Sequence, residues 1–113
     1  MKSTFENRPW GGFRVFTMNE KTSVKILTVK PGKRLSLQKH KHRSEWWRIL
    51  DNSVKVTLGN KTFKVKKGEE VFIKKGTLHR IEGLDKEANL LEISFGKFDE
   101  NDITRIQDDF GRP

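Results

Sequence analysis

Three histidines and the polar residues around them offer the chain's clearest ligand chemistry. His40 and His42 lie in a short segment that begins at Gln38 and ends at Glu45, and His79 lies far downstream. Residues two apart on a strand share a face, so Gln38 and His40 can point to one place if the segment is extended. Imidazole nitrogens with amide and carboxylate oxygens suit a divalent ion such as Zn, Mn, Co, Ni or Fe. The pattern indicates a metal site, although two nearby histidines alone are ordinary on a surface.

Alternation of apolar and polar residues, rather than helical periodicity, organises the chain around these ligands. Val54, Val56 and Leu58 alternate with polar residues up to Gly59-Asn60, a pair suited to a tight hairpin turn, and Phe63 and Val65 then alternate with lysines. Apolar residues form similar runs at Val24–Val29, which Pro31-Gly32 ends, and at Val71–Ile73, which Lys75-Gly76 ends. Further strands are predicted at Phe13–Thr17, Glu45–Leu50, Leu78–Glu82 and Leu90–Phe95. The acidic start of Asp99–Ile106 predicts a short helical turn near the C-terminus. About nine strands in so short a chain predict one all-β barrel or sandwich.

Length and composition narrow the classes of function. The 113 residues allow one domain, 1–113, and the absence of cysteine excludes a disulfide scaffold, a thiolate zinc site and a cysteine nucleophile. No apolar run is long enough to span a membrane, and the first residues lack the apolar core of a signal peptide, so we expect a cytoplasmic protein. The net charge of +9 favours an anionic partner: nucleic acid, a membrane surface or a phosphorylated small molecule.

The spacing of two short motifs resembles that of the cupin family. The first, G-x5-H-x-H-x4-E, is matched at Gly32, Gln38, His40 and Glu45, with glutamine in place of the first histidine. The second, G-x5-P-x-G-x2-H, is matched at Gly68, Lys74, Gly76 and His79, with lysine in place of proline. The resemblance implies a double-stranded β-helix, or jelly-roll barrel. It also implies one divalent metal ion, Zn first, bound by Gln38, His40, Glu45 and His79.

Longer segments resemble the C-terminal domain of type II phosphomannose isomerases. They are Arg8–Gly11, Val29–Gly32, Leu35–Gln38, His42–Glu45 with Trp47, Asn101–Ile103 and Asp108–Arg112. The resemblance implies a metal-dependent isomerase that converts mannose 6-phosphate to fructose 6-phosphate. In that family the domain usually follows a guanylyltransferase domain, whose glycine-rich nucleotide loop is missing from this chain. We therefore expect no guanylyltransferase activity.

The same resemblance suggests roles for several further residues. Arg43 and Arg112 match active-site arginines, which bind phosphate or stabilise an enediolate, and His42 is a candidate general base. Trp47 and Lys33 are expected to join both arginines in binding the substrate. Trp10 either walls the pocket or packs in the core. The family pattern is broken at Trp46, Asp51-Asn52, Lys74-Lys75 and Ser94, and all four departures leave the predicted ligand positions intact.

Two alternatives to an isomerase stay open at this stage. The first is a cupin without catalysis that binds a sugar phosphate or a sugar nucleotide. The second is a basic nucleic-acid binder, which predicts salt-sensitive complexes but has no recognised binding motif in the sequence. We expect a phosphorylated sugar as the partner, with no nucleic acid and no membrane. Exposed apolar strand faces and analogy with small cupins predict a homodimer.

Overall fold

The computed structural model of the chain describes residues 3–113 and contains eleven β-strands in that range. They are β1 Thr4–Arg8, β2 Gly11–Val15, β3 Thr22–Val29, β4 Leu37–Lys39, β5 Arg43–Ile49, β6 Val54–Leu58, β7 Lys61–Val65, β8 Glu70–Ile73, β9 His79–Gly83, β10 Ala88–Gly96 and β11 Thr104–Gln107. The expected all-β jelly-roll class is confirmed. The strand count exceeds the predicted nine because short strands such as β4 and β11 carry too few residues to show alternation.

Two antiparallel sheets enclose the core. One has the order β3-β10-β5-β8 and the other the order β11-β4-β9-β6-β7. Their inner faces meet in one apolar cluster, to which Trp47 and Leu90 contribute from the first sheet and Val56 and Ile81 from the second. Each large apolar side chain buried in this way contributes roughly 1.5–3 kcal/mol of hydrophobic stabilisation. The cluster fixes the distance between the two sheets and therefore the place where polar side chains on their inner faces meet.

The predicted hairpin at Gly59-Asn60 is confirmed. Leu58 of β6 pairs with Lys61 of β7, so Gly59 and Asn60 form the whole loop. Gly59 has a positive φ of 63°, a backbone conformation that residues with a side chain rarely adopt.

Backbone pairing brings the two sequence motifs together. Gln38 of β4 lies opposite His79 of β9, and the amide of Gly76 donates to the carbonyl of His40 at 2.8 Å. Glu45 of β5 belongs to the facing sheet, where it lies opposite Ser94 of β10. The two sheets therefore direct residues of both motifs to one end of the interior.

The predicted helical turn at Asp99–Ile106 is wrong as a helix. The amide of Asp102 donates to the carbonyl of Asp99 at 3.0 Å, which closes a single turn, and the chain then enters β11. The Asp102 carboxylate accepts hydrogen bonds from the amides of Lys41 and His42 instead of capping a helix. These long-range bonds, with the pairing of β11 to β4, override the local helical signal.

The hairpin of β1 and β2 lies outside the two main sheets. Phe16, just after β2, packs against Trp46 with ring centroids 5.1 Å apart, and Ser3 donates to the Glu70 carboxylate from its amide and hydroxyl. Trp10 is 74% exposed at the turn, so it neither walls a pocket nor packs in the core. None of the described residues forms a helix long and apolar enough to cross a membrane.

Candidate metal centre

Three buried side chains converge at the inner end of the two sheets. His40 follows β4, Glu45 lies on β5 and His79 opens β9. Glu45 Oε1 lies 3.1 Å from His79 Nε2 and 3.6 Å from His40 Nε2. One candidate ligand atom from each residue falls within 4.8 Å of the other two. His40, Glu45 and His79 therefore form a possible metal-binding triad, which we call the triad below.

Backbone carbonyls orient both imidazoles. His40 Nδ1 lies 2.7 Å from the carbonyl oxygen of Asp102, and His79 Nδ1 lies 2.8 Å from that of Thr77. Because a carbonyl oxygen only accepts hydrogen bonds, each neutral ring donates from Nδ1 and keeps a lone pair on Nε2. Metal-bound histidines are commonly held in this way, with the second ring nitrogen donating to an outer partner.

The triad contains unpartnered polar atoms that fit a bound cation. Glu45 Oε1 and His79 Nε2 are both buried and have no hydrogen-bond partner among residues 3–113. When the His79 ring is neutral and donates from Nδ1, these two facing atoms are both acceptors, and two buried acceptors in contact repel unless a proton or a metal ion lies between them. The donor set of two nitrogens and one carboxylate oxygen suits a divalent ion, so the residues present fit a metal.

Charge and burial keep the triad in a form that can bind a cation. Burial is the largest influence on His40 and lowers its pKa, which favours the neutral ring. Burial raises the pKa of Glu45, but a hydrogen bond from a positively charged His79 ring, followed by the positive charges of His79, His40 and Arg43, outweighs this effect and holds that pKa below its ordinary value. A neutral imidazole and an ionised carboxylate are the protonation states that metal ligation requires.

Gln38, the fourth predicted ligand, lies at the edge of the triad. Its Nε2 is 3.4 Å from His40 Nε2, while its Oε1 accepts a hydrogen bond from the Ser36 hydroxyl at 2.7 Å. The amide oxygen, which is the atom able to ligate, therefore faces Ser36. Rotation of the amide would turn this oxygen toward His40 at the expense of the Ser36 bond, and ligation by Gln38 stays a prediction.

Arg43 lies against the triad, whereas His42 does not. The buried Arg43 guanidinium places Nη2 at 3.3 Å from His40 Nε2 and Nε at 3.6 Å from Glu45 Oε2. Its Nη1 donates to the carbonyl of Asp99 at 3.0 Å. His42 is exposed and lines a separate small cleft with Lys41 and Asp102. The expected general base is thus not brought to the triad, because the chain turns at residues 41–42 before β5 begins.

The remaining predicted substrate-binding residues lie elsewhere. Lys33 and Arg112 line another cleft together with Phe110, and no triad residue lines it. The Arg112 guanidinium is held by Asp108, with Nε 2.9 Å from Oδ2. Trp47, which was expected to bind substrate, is only 2% exposed and packs against His79 in a T-shaped arrangement with 5.6 Å between ring centroids. Its position is that of a core residue beneath the triad.

Glu92 is a buried carboxylate near the triad that the motifs did not identify. It accepts a hydrogen bond from Trp47 Nε1 at 3.2 Å and is 7% exposed. Burial, followed by the negative charge of Glu45, raises the pKa of Glu92 to about 7. Its signal in the sequence was alternation, since Leu90, Glu92 and Ser94 share one strand face and an acidic residue on that apolar face needs a buried partner.

Comparisons with known proteins find both family and structural relatives. Residues 2–108 match the family model described as mannose-6-phosphate isomerase C-terminal. Alginate biosynthesis protein AlgA of Pseudomonas aeruginosa is 37% identical over 107 residues, which cover 93% of this chain and 22% of AlgA. Mannose-1-phosphate guanylyltransferase 2 of Escherichia coli O157:H7 is 44% identical over 101 residues, which cover 87% of this chain and 21% of that protein. The chain thus spans about a fifth of the length of the curated relatives it matches.

A solved structure supports the fold. Oxalate decarboxylase from Bacillus subtilis superposes with a TM-score of 0.69 and 27% identity, over 77% of this chain and 24% of the decarboxylase. The likeness agrees with the cupin resemblance and with the jelly-roll architecture described above.

Two functional expectations are corrected by the relatives. The predicted isomerase activity is overturned because the relative at 44% identity is named a mannose-1-phosphate guanylyltransferase. The same finding overturns the exclusion of guanylyltransferase activity. That exclusion relied on the absence of a glycine-rich nucleotide loop from this chain. The chain matches only about a fifth of the guanylyltransferase, and a segment of that size can be part of such an enzyme without containing the loop.

Proposed function

The chain belongs to the mannose-6-phosphate isomerase C-terminal family, and from that premise we propose that it is a metal-binding cupin unit serving mannose-1-phosphate guanylyltransferase activity. Its own part in that activity is to bind the phosphorylated sugar at the triad. The observation that carries the proposal is the pair of buried acceptors, Glu45 Oε1 and His79 Nε2, which face each other at 3.1 Å and lack partners among the described residues.

We propose one divalent ion, with Zn as the first candidate and Mn, Co, Ni and Fe as alternatives. Two imidazoles with one carboxylate are a common ligand set for Zn, and the absence of thiolates leaves the other four ions possible. When bound, such an ion supplies a Lewis acid for a hydroxyl or phosphoryl oxygen. His40, Glu45 and His79 hold it, and the two backbone carbonyls at Nδ1 keep the rings turned toward it.

Charge favours an anionic ligand at this place. The single ionised carboxylate of the triad leaves a divalent site with a formal charge of plus one, and the Arg43 guanidinium adds a further positive charge beside it. A phosphorylated sugar combines the anionic group and the hydroxyl oxygens that such a site binds. The overall charge of +9 raises the local concentration of such anions in the same direction.

We also propose, from the sequence, that the chain forms a homodimer. The edge strand β3 exposes Val24 at 59% and Ile26 at 62%, which supports a homodimer through that sheet. Sedimentation at several protein concentrations tests this. A cytoplasmic location is likewise retained as a proposal.

Metal analysis followed by ligand binding tests the proposed function. The purified chain, saturated with Zn and dialysed, should retain about one ion per chain. By calorimetry, the loaded protein should bind mannose 1-phosphate more tightly than mannose. His79→Ala should lose both the ion and the sugar phosphate, and His42→Ala should keep both. Failure of the wild-type chain to bind any of the five ions, or to distinguish mannose 1-phosphate from mannose, would overturn the proposal.

A further inference from the structure

A cationic cleft lies beside the triad, next to Lys25 of β3 and Arg43 of β5. Its volume is about 570 Å³, and it is lined by Lys25, Arg43, Phe98, Glu100, Asn101, Ile103, Arg105 and Pro113. Three of these side chains are basic and one is acidic. Lys25 forms no ion pair within residues 3–113, and Arg43 has only the Glu45 carboxylate of the triad, at 3.6 Å.

An aromatic ring holds two of the cations together. Lys25 Nζ lies 4.0 Å and the Arg43 guanidinium carbon 4.5 Å from the centroid of the Phe98 ring. Contact with the ring face stabilises each cation without supplying an acceptor to its N–H donors. Two cations on one ring repel each other, and an anion bound between them removes that repulsion.

Each of the two arginines of the cleft has a hydrogen-bond donor without an acceptor. Arg43 Nε and Arg105 Nε are buried and find no hydrogen-bond acceptor among the described residues. Arg105 Nη1 donates to the Pro113 carbonyl at 2.7 Å, which fixes the guanidinium at the cleft wall. Buried donors without acceptors are rare in native proteins and indicate a missing partner.

Metal binding would change the partners of Arg43. In the present arrangement Arg43 Nη2 lies 3.3 Å from His40 Nε2, the ring nitrogen that carries the lone pair. That single lone pair serves either the Arg43 donor or a metal ion, since an imidazole nitrogen accepts only one partner. A loaded triad therefore leaves Arg43 with a free Nη2 donor at the edge of the cationic cleft.

We propose that Lys25, Arg43 and Arg105 form a subsite for the phosphoryl group of the sugar, and that metal binding releases Arg43 to complete it. The inference rests on the proposed function, because it places the phosphate of the same ligand. Arg43 offers a planar fork of donors to the phosphoryl oxygens, while Lys25 contributes a flexible point charge. Metal and phosphate then strengthen each other's binding by the same factor.

The test measures phosphate affinity and metal content separately. Calorimetry is performed with mannose 1-phosphate, inorganic pyrophosphate and mannose on the apo and Zn-loaded forms of the wild-type chain. The same titrations follow for Lys25→Met and Arg105→Met. Lys64→Met on β7 and Arg8→Met on β1 are matched controls that lie outside the cleft. Metal content is determined for every variant by elemental analysis, and folding by circular dichroism.

We expect the loaded wild type to bind mannose 1-phosphate at least about tenfold more tightly than the apo form. Lys25→Met and Arg105→Met should each weaken that binding by about tenfold while retaining the metal, because each removes a charged donor. Binding of pyrophosphate with similar losses would identify the phosphate group as the recognised part, and mannose should not bind at this cleft. Equal affinities for the cleft variants and the two controls would overturn the subsite and leave the proposed function standing. Absence of metal from the wild type would instead overturn the proposed function.

Discussion

Glu45 Oε1 and His79 Nε2 face each other at 3.1 Å inside the barrel, and neither has a hydrogen-bond donor of its own. The geometry follows from two long-range pairings: Glu45 enters from β5 in one sheet, and His79 enters from β9 in the other. When the His79 ring is neutral it donates from Nδ1 to the Thr77 carbonyl, and the contact with Glu45 then joins two acceptors. A cation resolves this conflict, and the first two predictions depend on it.

Replacing a triad residue should abolish tight metal binding. His79→Ala removes one of three converging ligands, so we expect metal affinity to fall by at least about 100-fold, more than the 10–100-fold typical of losing an outer partner. Competition with a chromophoric chelator measures the affinity. His42→Ala is the matched control, since His42 is exposed and lies in a different cleft. Unchanged affinity in His79→Ala would contradict the assignment of the triad.

Metal removal should destabilise the fold. A ligand that binds only the folded state at 100 times its Kd adds about 2.7 kcal/mol, which for a domain of this size raises Tm by about 10 °C. We expect this shift on adding Zn to the apo protein, and its reversal by a chelator, in a thermal scan. Glu45→Gln keeps the shape of the side chain but loses its charge, so it should show little shift. A full shift in Glu45→Gln would place the stabilising ion elsewhere.

Trp47 should matter for stability through a buried hydrogen bond as well as through its packing in the core. Its Nε1 donates to Glu92 Oε2 at 3.2 Å, and Trp47→Phe would leave that buried carboxylate without the bond. We expect a loss of about 1–3 kcal/mol in the free energy of unfolding, measured with urea. Trp10→Phe, at the exposed hairpin turn, should change it by less than about 0.5 kcal/mol. Similar losses in both variants would show that the Glu92 bond contributes nothing specific.

The fold class and the triad were predictable because their signals are local or have fixed spacing. Alternation along β6 and β7 identified that hairpin, and the resemblance to the two cupin motifs implied His40, Glu45 and His79 as ligands. The segment at Asp99–Ile106 was misread because the bonds from Asp102 to the amides of Lys41 and His42 connect residues distant in sequence. In the sequence, an acidic segment that starts a helix looks the same as one whose carboxylate binds distant backbone amides.

The surroundings of the triad were less predictable than the triad itself. Arg43 and His42 are neighbours in sequence, yet only Arg43 lies against the triad, because the direction of each side chain depends on where β5 begins. Lys25 and Phe98 belong to segments with no motif, and only pairing of β3 with β10 brings them to the cleft of Arg43. Such placements depend on strand register, which composition and spacing do not specify.

Acid should weaken the attachment of the N-terminal segment through Glu70. Burial raises the pKa of Glu70, but hydrogen bonds from Ser3 and Arg48 outweigh burial and hold that pKa below its ordinary value of 4.5. A lowered folded-state pKa gives stability that is fully present above pH 4.5 and is lost as the pH falls through the lower value. The free energy of unfolding, measured between pH 6 and pH 3, should therefore differ less between wild type and Glu70→Gln at pH 3 than at pH 6.

Exchange of the Ser3 amide locates this effect. The amide donates to Glu70 Oε1 at 3.1 Å, so its exchange should accelerate in Glu70→Gln near neutral pH and in the wild type only under acid. Glu20→Gln, at an exposed position that forms no ion pair among the described residues, controls for the loss of one negative charge. If Glu20→Gln and Glu70→Gln changed the pH dependence of unfolding equally, net charge rather than the Ser3–Glu70–Arg48 contact would account for the acid sensitivity.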